Sequence, residues 1–387
     1  MERRSFIQIM GVGVAVATLT STLSSYSYSD DKVDYGWDGP SDSESDIRLK
    51  VIAYAMLCPN PHNKQPWLIK FTGLLSLELY VDQTRLLPET DPFSRQIHIG
   101  QGCFLETLSI AASGLGYQAD IEYFPQGEYN NVTIENHPVA RIVLTRNNDI
   151  NTDPLFKDIL NRQSNKREYD SSRLLPFQKS QLQAVPMAKK TTLTLHDSES
   201  EIIYLRELLT EAMIIESKNK DRDLETIKMF RFNDQEVKKY RDGFGLEHQG
   251  TSGIKKFMIE SLFLDREKTE KDPTDFAKKS VDITRSICES CNSFAWIVTE
   301  GNSRLQQVKV GRDYCRLNLT TTAMGLAQHP MSQVLQEYQD MLPLQEQFKQ
   351  HFNINADQTV QMLIRLGKAK KTAHTPRRLV SSLLINE

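Results

Sequence analysis

Two short stretches of the sequence gather side chains that could hold a polar ligand. The first is Cys58–Trp67, which reads CPNPHNKQPW. Its prolines restrict the backbone, while its Asn, His and Gln side chains offer both hydrogen-bond donors and acceptors. This mixture favours a ligand with carbonyl and hydroxyl groups over a bare phosphate. The alternative is a rigid helix-to-strand loop around a buried Trp67.

The second stretch, Asn161–Arg167, reads NRQSNKR and ends a predicted helix. Its cations and its hydroxyl predict an anion site, because Arg can bind phosphate oxygens in a bidentate manner. A solvated basic helix end, favourable against the helix dipole, is the alternative. A third basic cluster, Arg377–Arg378, closes a basic run near the end of the sequence and would by itself be a solvated tail.

Other chemistries find little support. The sequence has no G-x-S-x-G and no H-E-x-x-H, so no catalytic side chain and no metal ligand is predicted. Cys288 and Cys291 form a C-x-x-C without the second pair that zinc needs, and a disulfide between them stays open. Because 47 Lys and Arg face 50 Asp and Glu, the net charge is −3, which argues against nucleic acid as a partner.

The elements that would position these stretches follow from hydrophobic periodicity and turn signals. Asp46–Leu57 carries a helical stripe that ends before Pro59, and Lys218–Gly253 is charged and irregular, which indicates a lid or excursion. Helices are further predicted at Cys103–Ser113, Leu155–Arg162, Glu201–Ile215, Thr274–Cys291 and Arg304–Met324. Strands are predicted at Trp67–Phe71, Leu75–Val81, Ala119–Phe124, Ala140–Thr145, Phe294–Thr299 and Gln358–Leu366. Helices and strands mix without regular βαβ alternation or a G-x-G-x-x-G, so the predicted fold class is α+β.

One internal similarity suggests a duplication. Gly100–Leu115 aligns without gaps on Gly311–Leu326, an offset of 211, and both segments end in Gly-Leu. A generic helix with a glycine cap would give the same pattern, so two related lobes and coincidence both stay open.

The first residues read as a targeting segment. Arg3-Arg4 precede a weakly apolar run, Phe6–Leu23, which resembles a twin-arginine export signal. A permanent membrane anchor is the alternative. Export predicts a periplasmic protein, membrane-anchored if the signal is uncleaved, and makes the twin-arginine export machinery a partner.

Together, P-x-x-H-N-x-Q-P-W at Pro59–Trp67 and R-x-S-N-K-R at Arg162–Arg167 resemble the nitroreductase superfamily of FMN-binding oxidoreductases. The resemblance is closest to its exported, single-chain Acg-like proteins, and it covers roughly residues 46–385. It implies a nitroreductase-like α+β fold in which two related lobes are fused as a pseudo-dimer. The predicted division is a signal at 1–33, a linker at 34–45, a first lobe at 46–150 and a second at 151–387 with a lid near 218–253.

The resemblance also implies which residues bind FMN. The phosphate and ribityl chain are assigned to Arg162, Ser164, Lys166 and Arg167, with Arg377 and Arg378 adding phosphate contacts. From the facing lobe the flavin would meet Pro59, Asn60, His62 and Asn63, and near flavin N5 the backbone of Met331 and Ser332. Arg231 and Arg241-Asp242-Gly243 resemble a feature of the Acg-like lid.

The expected function is reduction of a small organic acceptor, a nitroaromatic or quinone, through bound FMN. The alternative is a flavin-sequestering or storage protein whose lid makes the FMN site largely non-catalytic. Each of the two motifs occurs once, which predicts one FMN per chain and a monomer competent to bind it. No stable membrane span is expected after processing.

Overall fold

The computed structural model describes residues 36–385. They belong to one compact unit. The predicted export signal at 1–33 and the start of the predicted linker therefore lie outside the described residues. Within 36–385, none of the helices combines the length and the apolar character that a membrane span requires.

The first lobe is a four-stranded antiparallel sheet with a central helix. Its elements are α1 (Ile47–Ala55), β1 (Trp67–Gly73), β2 (Ser76–Val81), α2 (Arg95–Gly114), β3 (Tyr117–Tyr123) and β4 (Ala140–Arg146). The strand order is β1-β2-β4-β3. The side chain of Asp46 caps α1 by accepting from the Arg48 amide, and α2 is buried along most of its length.

The second lobe repeats this plan with a long insertion. Its elements are α3 (Pro176–Gln183), β5 (Thr191–His196), α4 (Glu199–Glu216), α5 (Lys220–Met229), β6 (Phe230–Arg231), α6 (Asp234–Tyr240), β7 (Phe244–Gly245), α7 (Gly253–Leu262), α8 (Arg266–Lys271), α9 (Thr274–Glu289), β8 (Phe294–Glu300), α10 (Arg304–Ala323), β9 (Ala327–Pro330), α11 (Leu342–His351) and β10 (Gln358–Gly367). The antiparallel sheet runs β5-β8-β10-β9, which is the order of the first lobe with β5 in the place of β1. The α+β class and the two related lobes are confirmed.

The central helices α2 and α10 cross at two glycines. A Cβ at Gly102 would lie 1.9 Å from the Val308 carbonyl oxygen, and one at Gly311 would lie 2.0 Å from the Ile99 carbonyl oxygen. These contacts are reciprocal. Gly102 approaches the carbonyl of the residue three positions before Gly311, and Gly311 approaches the carbonyl of the residue three positions before Gly102. They relate the lobes by an offset of 209 residues.

The predicted offset of 211 is therefore wrong by two residues. Both helices are 20 residues long and follow a serine, and at the offset of 209 their C-terminal glycines, Gly116 and Gly325, coincide. Those glycines have φ of 80° and 67°, the left-handed region that ends a helix. Gly100, which the sequence alignment paired with Gly311, faces Pro61 of the first loop instead.

Several element boundaries also differ from the predictions. The helix predicted at Leu155–Arg162 is a 3₁₀ segment, Phe156–Asn161, and α2 begins eight residues before the predicted Cys103. Lys218–Gly253 is not irregular but holds α5 and α6, which begin at the side-chain caps Asn219 and Asn233. Strands β5 and β9 and helices α3 and α11 were not predicted.

Candidate functional site

The loop between α1 and β1 holds the first predicted motif in an unusual backbone conformation. His62, Asn63 and Gln65 have φ of 49°, 52° and 52°, which is uncommon for residues other than glycine. The side chain of Asn60 closes the loop by accepting from the Gln65 amide at 2.8 Å. Strained backbone that is held by specific contacts is typical of ligand sites.

Two arginines from distant parts of the sequence meet at this loop. Arg162 donates from Nε to the Leu57 carbonyl at 3.0 Å and from Nη1 to Asn318 Oδ1 at 3.1 Å. Arg377 donates from Nη2 to the same Leu57 carbonyl at 3.2 Å, and its Nη1 binds Asn63 Oδ1. Only 4% of Arg162 and 2% of Arg377 is exposed to solvent. The structure therefore joins both predicted phosphate-binding segments in one place.

The charge of this arginine pair, Arg162 and Arg377, is not neutralised. Within residues 36–385, no carboxylate forms an ion pair with either guanidinium. Burial lowers the pKa of Arg162, and burial together with the charge of Arg162 lowers the pKa of Arg377. Two buried cations without a counter-ion are costly, so an anionic ligand would stabilise the arrangement.

Trp37 covers the arginine pair. The carbon centres of the two guanidiniums lie 5.5 Å (Arg162) and 4.9 Å (Arg377) from the centroid of its ring. The ring also stacks on His374 at 3.9 Å, and its Nε1 donates to the Thr375 carbonyl. The sequence predicted a linker at Trp37. Its large aromatic side chain in a mostly polar stretch is the one signal that could have indicated this contact.

A third cation, Lys166, lies near His62 of the loop. Its Nζ is 4.0 Å from the centroid of the Phe244 ring, and burial together with Arg365 lowers its pKa to about 8. The centroid of the His62 ring lies 6.0 Å from that of Phe244. Burial and the charge of Lys166 lower the pKa of His62 to about 3, so its imidazole is neutral at pH 7.

Arg365 organises the backbone around the second motif. It is fully buried, and its Nη2 donates to the carbonyls of Asn165 at 3.2 Å and Arg167 at 2.7 Å. Its Nε donates to His329 Nδ1 at 3.1 Å, which ties β9 to the motif. Ser164, between Arg162 and Lys166, is half-buried. Arg365 is a residue that the sequence analysis missed.

Several buried polar atoms around the two motifs have no hydrogen-bond partner among residues 36–385. They include Arg167 Nε, Arg377 Nε, Asn318 Nδ2 and His62 Nδ1. All except the histidine nitrogen are donors, and buried donors normally have partners. A ligand rich in acceptor oxygens and ring nitrogens with a phosphate group, as FMN is, fits this set together with the arginine pair.

Three of the predicted residues lie apart from the arginine pair. Arg378 donates to the Gln65 carbonyl and lies 3.4 Å from Asp82 Oδ2, so it braces the first lobe. Met331 is buried in the apolar core of the second lobe, and its amide already donates to the Leu363 carbonyl. Ser332 follows it, and its carbonyl accepts from the amide of the residue three positions later. Their contacts with a flavin stay predictions, as does that of the buried Pro59.

The inserted segment is fastened to the loop. The Asn63 side chain donates to the Gly243 carbonyl at 3.0 Å, and the Gln65 side chain donates to the Arg241 carbonyl at 2.8 Å. Arg241 Nε donates in turn to the Arg377 carbonyl at 2.8 Å. The predicted lid thus contacts both the first motif and the arginine pair.

Asp242 is the charged centre of this attachment. Its carboxylate binds Arg85 Nη1 of the first lobe at 3.0 Å and also binds Arg231 of the insertion. The predicted lid feature at Arg231 and Arg241-Asp242-Gly243 is therefore a set of contacts that holds the insertion against the first lobe.

The depressed pKa of Lys166 predicts a pH dependence of stability. Its pKa is about 8 in the folded protein and about 10.4 in an unfolded chain, so between these values the unfolded state binds more protons. Without a bound anion, the contribution of Lys166 to the free energy of unfolding should rise as the pH increases from 8 to 10, while the five buried cysteine thiols, whose pKa values are raised by burial, contribute in the opposite sense. We expect Lys166→Met to flatten this rise in urea-unfolding series, and Lys368→Met, at an exposed position, to leave it unchanged.

Comparisons with known proteins give partial matches. No family model matches the chain. The chain is 29% identical over 126 residues to uncharacterized protein Rv3127 of Mycobacterium tuberculosis H37Rv, which is 31% of this chain and 35% of that protein. It is 35% identical over 75 residues to Putative NAD(P)H nitroreductase Rv3131 of the same organism, which is 19% of this chain and 22% of that protein. The chain thus spans about a third of the length of the first curated relatives it matches.

Solved structures give matches of low similarity. A nitroreductase with bound FMN from Bacteroides fragilis has 10% identity and a TM-score of 0.33, covering 59% of this chain and 95% of that one. The FMN-dependent nitroreductase NfnB from Mycobacterium smegmatis, in complex with NADPH, has 16% identity and a TM-score of 0.35, covering 58% and 94%.

Proposed function

We propose that this protein binds FMN and acts as a nitroreductase-type oxidoreductase of the Acg-like branch, which reduces a small nitroaromatic or quinone acceptor. The observation that carries the proposal is the arginine pair, two buried guanidiniums with no acidic partner among residues 36–385. Arg162 and Asn63, which binds Arg377, come from the two motifs that resemble the family. The name of one similar protein supports the proposal, since it mentions nitroreductase together with NAD(P)H.

The side chains of the site would each have a separate task. The arginine pair would hold the phosphate, and Lys166 would add positive charge near His62 of the loop. The neutral His62 and the amide of Asn318 would serve polar atoms of the ligand, while Phe244 would exclude water. When bound, FMN supplies the hydride and electron transfer that protein side chains cannot perform.

Flavin sequestration is the second candidate, and the attachment of the insertion favours it. Gly243 and Arg241 bind the loop directly, and Asp242 links the insertion to Arg85. A cover held by several buried hydrogen bonds would shield a bound ring from substrates. Release of the cover would then be needed for turnover.

A single experiment separates these functions. The purified protein is expected to show the visible absorption of FMN, with one FMN per chain. The bound flavin is then reduced anaerobically with dithionite, and its reoxidation is followed. Rapid reoxidation by a quinone or a nitroaromatic supports the enzyme. If reoxidation is slow in the wild type and faster in Asp242→Ala, the sequestering function is supported. A protein without flavin would exclude both.

We also propose that the protein is exported and works in the periplasm. The support is the resemblance of Arg3-Arg4 and the following apolar run to a twin-arginine signal. Nicotinamide nucleotides are not expected to be free in that compartment, so the electron donor would be a different reductant. A monomer is expected, because both lobes of the proposed pseudo-dimer lie in one chain.

A further inference from the structure

The duplication defines a second position equivalent to the arginine pair. At the offset of 209, Asn318 and Cys315 of α10 correspond to Ser109 and Glu106 of α2. The loop between α1 and β1 corresponds to residues 184–190 between α3 and β5. The second position is therefore the place where the loop 184–190 meets α2 and α10.

An open cavity of about 390 Å³, broadly accessible to solvent and with Lys189 exposed at its rim, lies at this position. Its wall comprises Pro186–Lys189 from the loop, Glu106 and Tyr123 from the first lobe, and Lys309, Arg312, Asp313 and Arg316 from α10. Its volume is within the range of small-molecule sites. The Ala188 amide donates to Asp313 Oδ2 at 2.9 Å, which fixes the loop to α10.

The lining of this second cavity has an excess of positive charge. Arg312 and Arg316 both bind the buried carboxylate of Glu106, at 2.5 and 2.8 Å. Lys189 and Lys309 have no carboxylate partner within residues 36–385. Lysine ammonium groups bind phosphate oxygens as point charges.

A second flavin does not suit this cavity. The loop 184–190 has none of the Asn, His and Gln side chains that the loop Cys58–Trp67 contains. Glu106 also places a carboxylate at the position equivalent to the Cys315 thiol of the first site. The second position therefore differs from the first in its chemistry.

The structure assigns a second ligand site to this cavity, and we propose that it binds a small phosphate monoester through Lys189 and Lys309. The phosphate would lie between the two ammonium groups, and the Asp313 carboxyl and Tyr123 would face the organic part. This site does not depend on the proposed function, because it shares no residue with the arginine pair.

Calorimetric titration with glycerol 3-phosphate tests this proposal, with FMN present in saturating amount and its absorbance recorded. One glycerol 3-phosphate should bind per chain without displacing FMN. The double variant Lys189→Gln with Lys309→Gln should bind at least tenfold more weakly. The control Lys190→Gln, which removes an exposed lysine paired with Glu300, should bind as the wild type does.

Two outcomes would overturn the site. In the first, the double variant has the wild-type unfolding midpoint and binds glycerol 3-phosphate as tightly as the wild type. In the second, glycerol 3-phosphate displaces FMN, which would place this ligand on the arginine pair. If the purified protein binds no FMN, the glycerol 3-phosphate titration is repeated with Arg162→Ala, in which the arginine pair is disrupted. Binding that persists there and is lost on adding the two lysine substitutions supports the second site even though the proposed function has failed.

Discussion

Replacing Arg162 with Met should lower the affinity for FMN ten- to a hundredfold. The guanidinium is buried beside Arg377 with no carboxylate partner within residues 36–385, and a charge-assisted hydrogen bond to phosphate contributes about 1.5–3 kcal/mol. Met keeps most of the volume and removes the charge. Fluorescence titration of the apoprotein with FMN measures the loss.

The same substitution should not destabilise the apoprotein. Without ligand, the charge of Arg162 repels that of Arg377, so its removal is expected to leave the free energy of unfolding unchanged or to raise it. Arg378→Met is the matched comparison, because Arg378 is balanced by Asp82 and bonded to the Gln65 carbonyl. We expect it to lower stability and to weaken FMN binding less than Arg162→Met does. Equal FMN affinity in wild type and Arg162→Met would contradict the assignment of the arginine pair.

Much of the site was accessible from the sequence because its two motifs are short and chemically distinctive. Arg162 and Arg377 were assigned to one phosphate, and the structure brings them to a common acceptor, the Leu57 carbonyl. Residue type alone could not separate Arg377 from Arg378. Their guanidiniums diverge, that of Arg377 to the Leu57 carbonyl and that of Arg378 to the Gln65 carbonyl, and only the position of Asp82 decides which arginine is neutralised.

The covering residues were less accessible. Trp37 lies in a segment rich in Gly, Pro and Ser. Such a composition predicts a linker even when one of its aromatic rings packs against the folded protein. The helices of the insertion were missed because their charged residues suggested a solvated loop. Asn219 and Asn233, which cap α5 and α6, were the local signals that indicated helices.

The internal repeat shows why counting matched residues did not give the right register. Gly100 and Gly102 lie on the same helix, and either can be aligned with Gly311 in the sequence. Only the packing shows that Gly102 faces the other central helix while Gly100 faces the loop at Pro61. The register was set by the close approach of two backbones, which the sequence similarity did not report.

Replacing Gly311 with Ala should therefore destabilise the whole fold. A Cβ there would lie 2.0 Å from the Ile99 carbonyl oxygen and 2.8 Å from Gly102 Cα, and backbone atoms cannot move aside as a flexible side chain can. Overpacking of this kind costs about 3 kcal/mol or more, which exceeds the gain of about 1 kcal/mol from replacing a helical glycine with alanine. Urea-unfolding midpoints measure the net effect.

Gly100→Ala is the control on α2, since the nearest atom to its Cβ would be Pro61 Cδ at 3.3 Å. We expect a change within about 1 kcal/mol there, because the contact is tight but involves a side chain. Gly102→Ala should resemble Gly311→Ala, and the double variant should cost less than the sum of the two. Both substitutions push α2 and α10 apart, so one separation relieves both clashes. Strict additivity would contradict a single crossing point.

The same separation would move Asn318, two turns beyond Gly311 on α10, away from Arg162, so the surviving folded protein should also bind FMN more weakly than the Gly100→Ala control.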